Sequence, residues 1–413
     1  MQTNETKSKR FHLMTLLVFL SLILVTISLG QRATAAAAEP TDTVGATDYT
    51  YLPVVIHKPV PPIPQFVKNV ATPSAQCPNS VGFNAVSGYV YVANNFSYNV
   101  SAFKDGSFVS YIAMGKWPTL IAADNDSGLT YVTGLHDGVT VIDGLTVVGK
   151  IPKNYEPYGV AVNPVNGNTY VTDLDSTVQV ANGASLIANV SITDPAIAPP
   201  TNGAGWLQPI VVDPNTGLVY VASWSHGKMY VLNGTSVVEN YRAGWGVKEM
   251  AIDPGRGYIY LAHSEPNATY PYNISVFNIN TKTFTFIDTD TGSLSGSRSV
   301  AVDPISGNAY FSNPDKNTVT VVNGTQVIKT ISVGTMPWGM GVNPNTGDVF
   351  VANRGSNTIS VIRGLAVVNT IAAQGLQPFA VGVDTINNDV YIANRGDEYG
   401  LFLCRQASVT ILH

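Results

Sequence analysis

Residues 300–313 read VAVDPISGNAYFSN, and the order of residue types in this stretch decides the fold. Val300 to Val302 is short, apolar and β-branched, which suits a strand. Asp303-Pro304 then opens a turn, because proline presets φ and an Asp side chain can bond the backbone just ahead of it. Gly307 supplies the positive φ that closes the turn, and NAYFSN at 308–313 alternates into a second strand. Working outward, NTVTVV at 317–322 and TQVIKTISV at 325–333 read as a third and a fourth strand. Asn323-Gly324 joins them, a pair suited to a two-residue hairpin loop, as are Asp143-Gly144, Asn182-Gly183 and Asn233-Gly234.

The phrase recurs as VAVNPVNGNTYV at 160–171, IVVDPNTGLVYVAS at 210–223, MAIDPGRGYIYLAH at 250–263 and MGVNPNTGDVFVAN at 340–353. Its turn glycine falls at Gly88, Gly128, Gly167, Gly217, Gly257, Gly307 and Gly347, with Asn388 in that slot of the last copy. The spacings of 40, 39, 50, 40, 50, 40 and 41 residues define one repeat of four short strands. Such a period predicts an all-β propeller, each repeat a blade that buries its faces only by stacking on neighbours. Eight blades are expected, with seven as the alternative that leaves one well-formed repeat over.

The chain also predicts how the ring closes. PQFVKNVA at 64–71 matches the fourth strand of a blade, whereas the last repeat supplies only three strands: VGVDT, DVYIAN and ASVTIL. The N-terminal strand is therefore expected to complete the last blade and remove the exposed sheet edges of an open ring. The only two cysteines, Cys77 and Cys404, fall beside that seam. They read as a disulfide locking the composite blade, or alternatively as two unpaired buried thiols.

Residues 1–38 carry four Lys or Arg against one Glu, with an apolar run from Phe11 to Leu29 followed by ATAAAA. That order is expected of a secretory signal, with an uncleaved membrane anchor as the alternative. Residues 39–65 are proline-rich and read as an extended spacer, leaving 66–413 as the propeller. The chain is 45% hydrophobic and 12% charged, so it has apolar material for between-blade packing. Its net charge of −5 becomes −8 without residues 1–38, which argues against nucleic acid and anionic membrane as partners.

The Tyr-Val-x-Asn strand occurs as YVAN at Tyr91, YVTG at Tyr131, YVTD at Tyr170, FVAN at Phe350 and YIAN at Tyr391. These repeats resemble the YVTN family of β-propeller repeats across 66–413. The resemblance implies a secreted or surface-layer type of protein. Related propellers include lactonases and metal-dependent lyases, so fold alone does not choose a function.

Unusual residues concentrate on one face. Loops between blades, and between the second and third strands, emerge on a face designated the top. All five tryptophans map there, Trp117, Trp206, Trp224, Trp245 and Trp338, and Tyr155, Tyr158 and Phe379 join them as candidate binding residues. His136, His226 and His263 are also assigned to these loops, and three histidines are how a metal site would begin. Charges such as Glu156, Asp173, Glu249, Arg298, Arg354 and Arg395 are scattered over the blades without a paired-carboxylate spacing, a nucleophile elbow or a phosphate loop. The expectation is a secreted or cell-surface binding or scaffold module with no cofactor, engaging an extracellular protein or glycan through aromatic anchors. A metal-assisted lactonase or lyase at the central opening is the alternative. Membrane association is expected only if the N-terminal segment stays uncleaved, and the sequence leaves oligomeric state open.

Overall fold

A computed structural model describes residues 60–193, 205–264, 271–289, 296–399 and 403–413. The expected signal and most of the spacer lie outside these residues. Among the described residues are eight four-stranded antiparallel sheets, one per repeat. Blades 1 to 7 each run in chain order from strand a to strand d. The a strands are Pro78–Asn84, Pro118–Ala123, Pro157–Val162, Leu207–Val212, Val247–Asp253, Val300–Val302, Pro337–Val342 and Pro378–Val383. Each packs beside the a strand of the next blade, and the last packs beside the first, so they form the inner wall of a closed eight-bladed ring. The seven-bladed alternative is thereby set aside.

The eighth blade is composite. Its first three strands are Pro378–Val383, Val390–Asn394 and Ser408–Leu412, and its fourth is the N-terminal Phe66–Ala71. That fourth strand pairs antiparallel from Phe66 opposite Leu412 to Ala71 opposite Ser408. Cys77 and Cys404 are disulfide-bonded with Cα atoms 5.0 Å apart. The bond ties the entry of blade 1 to a small hairpin, Asp397–Tyr399 with Leu403–Arg405, between strands b and c of blade 8. The spacer's last residues are bonded to blade 7: Arg363 donates to Pro61 O at 2.8 Å and Pro62 O at 3.1 Å, and Asn369 donates to Pro64 O at 3.1 Å.

Each letter of the repeat has a physical role. The Asp or Asn before the a–b turn accepts backbone hydrogen bonds from two and three residues ahead, as when Asp124 Oδ1 takes those of Asp126 and Ser127 at 2.9 and 3.2 Å. The turn then closes on a left-handed residue; Asn388, with φ 61°, fills the glycine slot because Asn tolerates that region. In the c–d loops Gly144, Gly183, Gly234 and Gly324 carry positive φ while the Asp or Asn before each does not, so glycine is the first of two loop residues.

The motif tyrosine is buried in all seven blades that have it, Phe350 replacing it in blade 7. Burying such a ring contributes about 2–3 kcal/mol. Some hydroxyls also tie blades together: Tyr91 donates to Gly144 O in blade 2 at 2.7 Å, and Tyr310 to Gly364 O in blade 7 at 2.8 Å. The motif asparagine joins strand b to strand c. Asn353 Nδ2 donates to Thr358 and Ser360 hydroxyls at 3.1 and 2.9 Å, and Asn313 and Asn394 repeat the arrangement.

Candidate functional site

Strand a begins at the top of the ring, so its first residues meet around the axis. The residue five positions before the turn Asp or Asn is Asn79, Thr119, Tyr158, Gln208, Lys248, Arg298, Trp338 and Phe379 in blades 1 to 8. Eight equivalent positions thus carry eight different side chains. Two residues further along the register is Val81, Ile121, Val160, Ile210, Met250, Val300, Met340 and Val381, all apolar. The repeat holds its inner positions alike and lets the mouth vary. A cavity of about 590 Å³ opens there, lined from all eight blades and including Tyr158, Gln208, Lys248, Arg298, Trp338 and Phe379. That size falls within the range of small-ligand sites.

The cavity has an aromatic, cationic side and a polar side. Trp338 and Phe379 lie ring to ring with centres 5.6 Å apart at 34°. The guanidiniums of Arg298 and Arg354 sit 5.1 and 5.2 Å from the Trp338 ring centre, and that of Arg395 sits 4.4 Å from Phe379. Such stacking favours Arg, whose planar guanidinium is weakly hydrated. Arg354 Nε donates to Gln377 Oε1 at 3.0 Å, fixing it over the indole. Opposite, Lys248 donates to the Tyr158 hydroxyl at 2.7 Å and lies 5.1 Å from the Tyr158 ring centre.

Glu249 follows Lys248 and turns toward blade 6. Burial pushes its carboxyl up to about 7, although hydrogen bonds from the Ser299 hydroxyl and the Val300 amide and the charge of Lys248 oppose the shift. Two other blades show how tight this position can be. The equivalent residues of blades 3 and 7 are Gly159 and Gly339, where a Cβ would stand 2.3 Å from Gln208 O and 2.2 Å from Phe379 O. Strand a of blade 6 is three residues long, and Ser299 and Val300 at its start hydrogen-bond the Glu249 carboxyl.

Of the sequence-selected residues, Tyr158, Trp338 and Phe379 meet in this cavity. The others form separate groups. Trp206 and Trp224 stack with centres 5.5 Å apart, and Trp245 lies 6.0 Å from Trp224. Trp117 packs 4.9 Å from the His136 ring and donates its indole N–H to Tyr98 Oη at 3.1 Å. Tyr155 is exposed, and its backbone N–H donates to the buried Asp173 carboxylate at 2.7 Å.

The histidines occupy three unlike environments. His263 is not a loop residue, as the sequence reading had it: it ends strand b of blade 5 in the slot where blades 1, 6, 7 and 8 place Asn. It is buried, with Nδ1 2.7 Å from Trp245 O and Nε2 2.8 Å from Ser275 Oγ. Burial pushes its pKa down to about 4, so it is neutral and serves the b–c junction. His136 pairs with Glu156 in its loop, and its backbone N–H donates to the same carboxylate at 2.6 Å. His226 lies beside Ser225, its Nδ1 3.3 Å from that hydroxyl. Among the described residues no group of three or more His, Cys, Asp or Glu is placed to hold a metal ion.

Sequence reading missed Lys248 entirely and treated Glu249, Arg298, Arg354 and Arg395 as scattered. The signal that gathers them is their shared position in the repeat: one register for Lys248 and Arg298, and the first residue after strand b for Arg354 and Arg395.

No protein-family model matches the sequence, and no curated protein matches it. Solved structures do. Hydrazine synthase of Kuenenia stuttgartiensis is similar with a TM-score of 0.58 at 15% identity, covering 70% of this chain and 96% of that one. The WD40 β-propeller domain of Doa1 is similar with a TM-score of 0.51 at 12% identity, covering 85% of this chain and 96% of that one. At such identities the likeness concerns the fold: this chain is an eight-bladed β-propeller.

Proposed function

We propose that the protein is a secreted or cell-surface propeller of the YVTN type, acting as a binding module whose mouth engages an extracellular protein or glycan. The observation that carries this reading is the contrast between the mouth register, with eight different side chains, and the apolar register beneath it. Packing alone would fill both alike, as it does the inner one. Aromatic anchors flanked by cations and amides are the composition of recognition surfaces rather than of blade contacts. A disulfide across the closing seam supports an oxidising compartment. The test is capture of extracellular glycans and proteins by the wild type beside a Trp338→Ala, Phe379→Ala double variant. Loss of capture with an unchanged circular dichroism spectrum supports the reading, and equal capture by both proteins rejects it.

A further inference from the structure

We infer that the mouth cavity is a site for a carboxylated sugar, a uronic-acid residue of an acidic glycan, whose carboxylate pairs with Arg298 while its ring lies against Trp338 and Phe379. This rests on the binding-module reading and narrows it. Arg298 lies in the cavity wall stacked on Trp338, and its Nε is buried without a hydrogen-bond partner among the described residues. Nε itself is closed to solvent, so a ligand oxygen would meet the amino groups of the same half-buried guanidinium. An Arg fork matches a carboxylate with two parallel hydrogen bonds, which is why the partner assigned to it is anionic and planar.

The remaining lining fits the rest of such a sugar. Trp338 and Phe379 offer an apolar wall to the C–H face of a pyranose ring. Gln208 and Asn79 supply amides, and Tyr158 a hydroxyl held by Lys248, toward ring hydroxyls. Lys248 and Arg298 line the mouth of a chain whose net charge is −5, Arg354 and Arg395 stack on its aromatic rings, and the half-buried Glu249 is the acid among the cavity's lining residues. A concave site of about 590 Å³ suits a sugar residue better than a flat protein epitope.

The experiment is titration calorimetry with oligosaccharides of galacturonate, glucuronate, mannuronate and guluronate, each beside its carboxyl-reduced, neutral counterpart, and with an acidic peptide. Wild type is expected to bind at least one uronate at least tenfold tighter than the neutral form. Arg298→Ala should lose that preference at least tenfold, Arg298→Lys should restore part of it, and Trp338→Ala should weaken acidic and neutral forms together. All variants are first checked for unchanged thermal unfolding. If neutral sugars bind as well as uronates and Arg298→Ala changes nothing, the carboxylate site is refuted while the glycan-binding reading stands. If the acidic peptide alone binds, the ligand class is wrong. If the wild type binds neither glycan nor peptide and captures no extracellular protein, both readings fall.

Discussion

Replacing Cys77 and Cys404 together by serine tests how the ring is held shut. The bond spans 327 residues, and the chain-entropy relation for so long a loop gives about 6 kcal/mol of stabilisation. Measured disulfides in folded proteins reach only about 5 kcal/mol, because the unlinked chain retains structure. A loss of about 3–5 kcal/mol is therefore expected. For a ring of roughly 350 residues the unfolding entropy is about 0.7 kcal/mol/K, so the melting temperature should fall by about 4–7 °C. Calorimetry of the oxidised wild type beside the serine variant measures this, and non-reducing peptide mapping should find the Cys77–Cys404 link in the wild type. Coincident melting curves for two proteins shown to differ only in the bond would refute the role assigned to it.

Further outcomes follow from other parts of the fold. Deleting Gln65 to Ala71 removes the strand that pairs with Ser408–Leu412, so an edge is exposed and the protein should aggregate in size-exclusion chromatography; a monomeric peak with an unchanged melt contradicts the composite blade. Asn353→Ala strips the amide that bonds Thr358 and Ser360 and should cost about 1–3 kcal/mol in urea unfolding. The carboxyl of Glu249 titrates higher folded, at about 7, than unfolded, so its contribution is present in acid and is lost as pH rises from about 4.5 through 7. Glu249→Gln should be more stable than wild type at pH 8 and equal to it near pH 4.5. His263 runs the other way: with its folded pKa near 4, its contribution is present above 6.5 and lost as pH falls toward 4. His263→Asn, which installs the residue that four other blades use, should keep the fold and flatten that acid-side decline.

The fold was legible because one set of constraints repeats along the chain. Asp or Asn, followed by Pro in five of the eight copies, then a left-handed Gly or Asn388, specifies the same turn each time, and the missing fourth strand at the C-terminus matched the spare strand at 64–71. The site was legible only in part. Tyr158, Trp338 and Phe379 stood out as aromatics, but Lys248 and Arg298 lie 50 residues apart and meet only because adjacent blades start their first strands side by side. His263 misled for a related reason. Sequence places it just past the YLA of strand b, and only the b–c pairing shows its Nε2 against the Ser275 hydroxyl of strand c, in the slot where four other blades place Asn.

The most direct test of the account is a glycan array probed with the disulfide-bonded protein and with Trp338→Ala in parallel. The account predicts that wild type retains a set of glycans carrying carboxylated sugars and that Trp338→Ala releases them while melting at the same temperature. Retention of the same glycans by both proteins would contradict the mouth of the ring as the binding site.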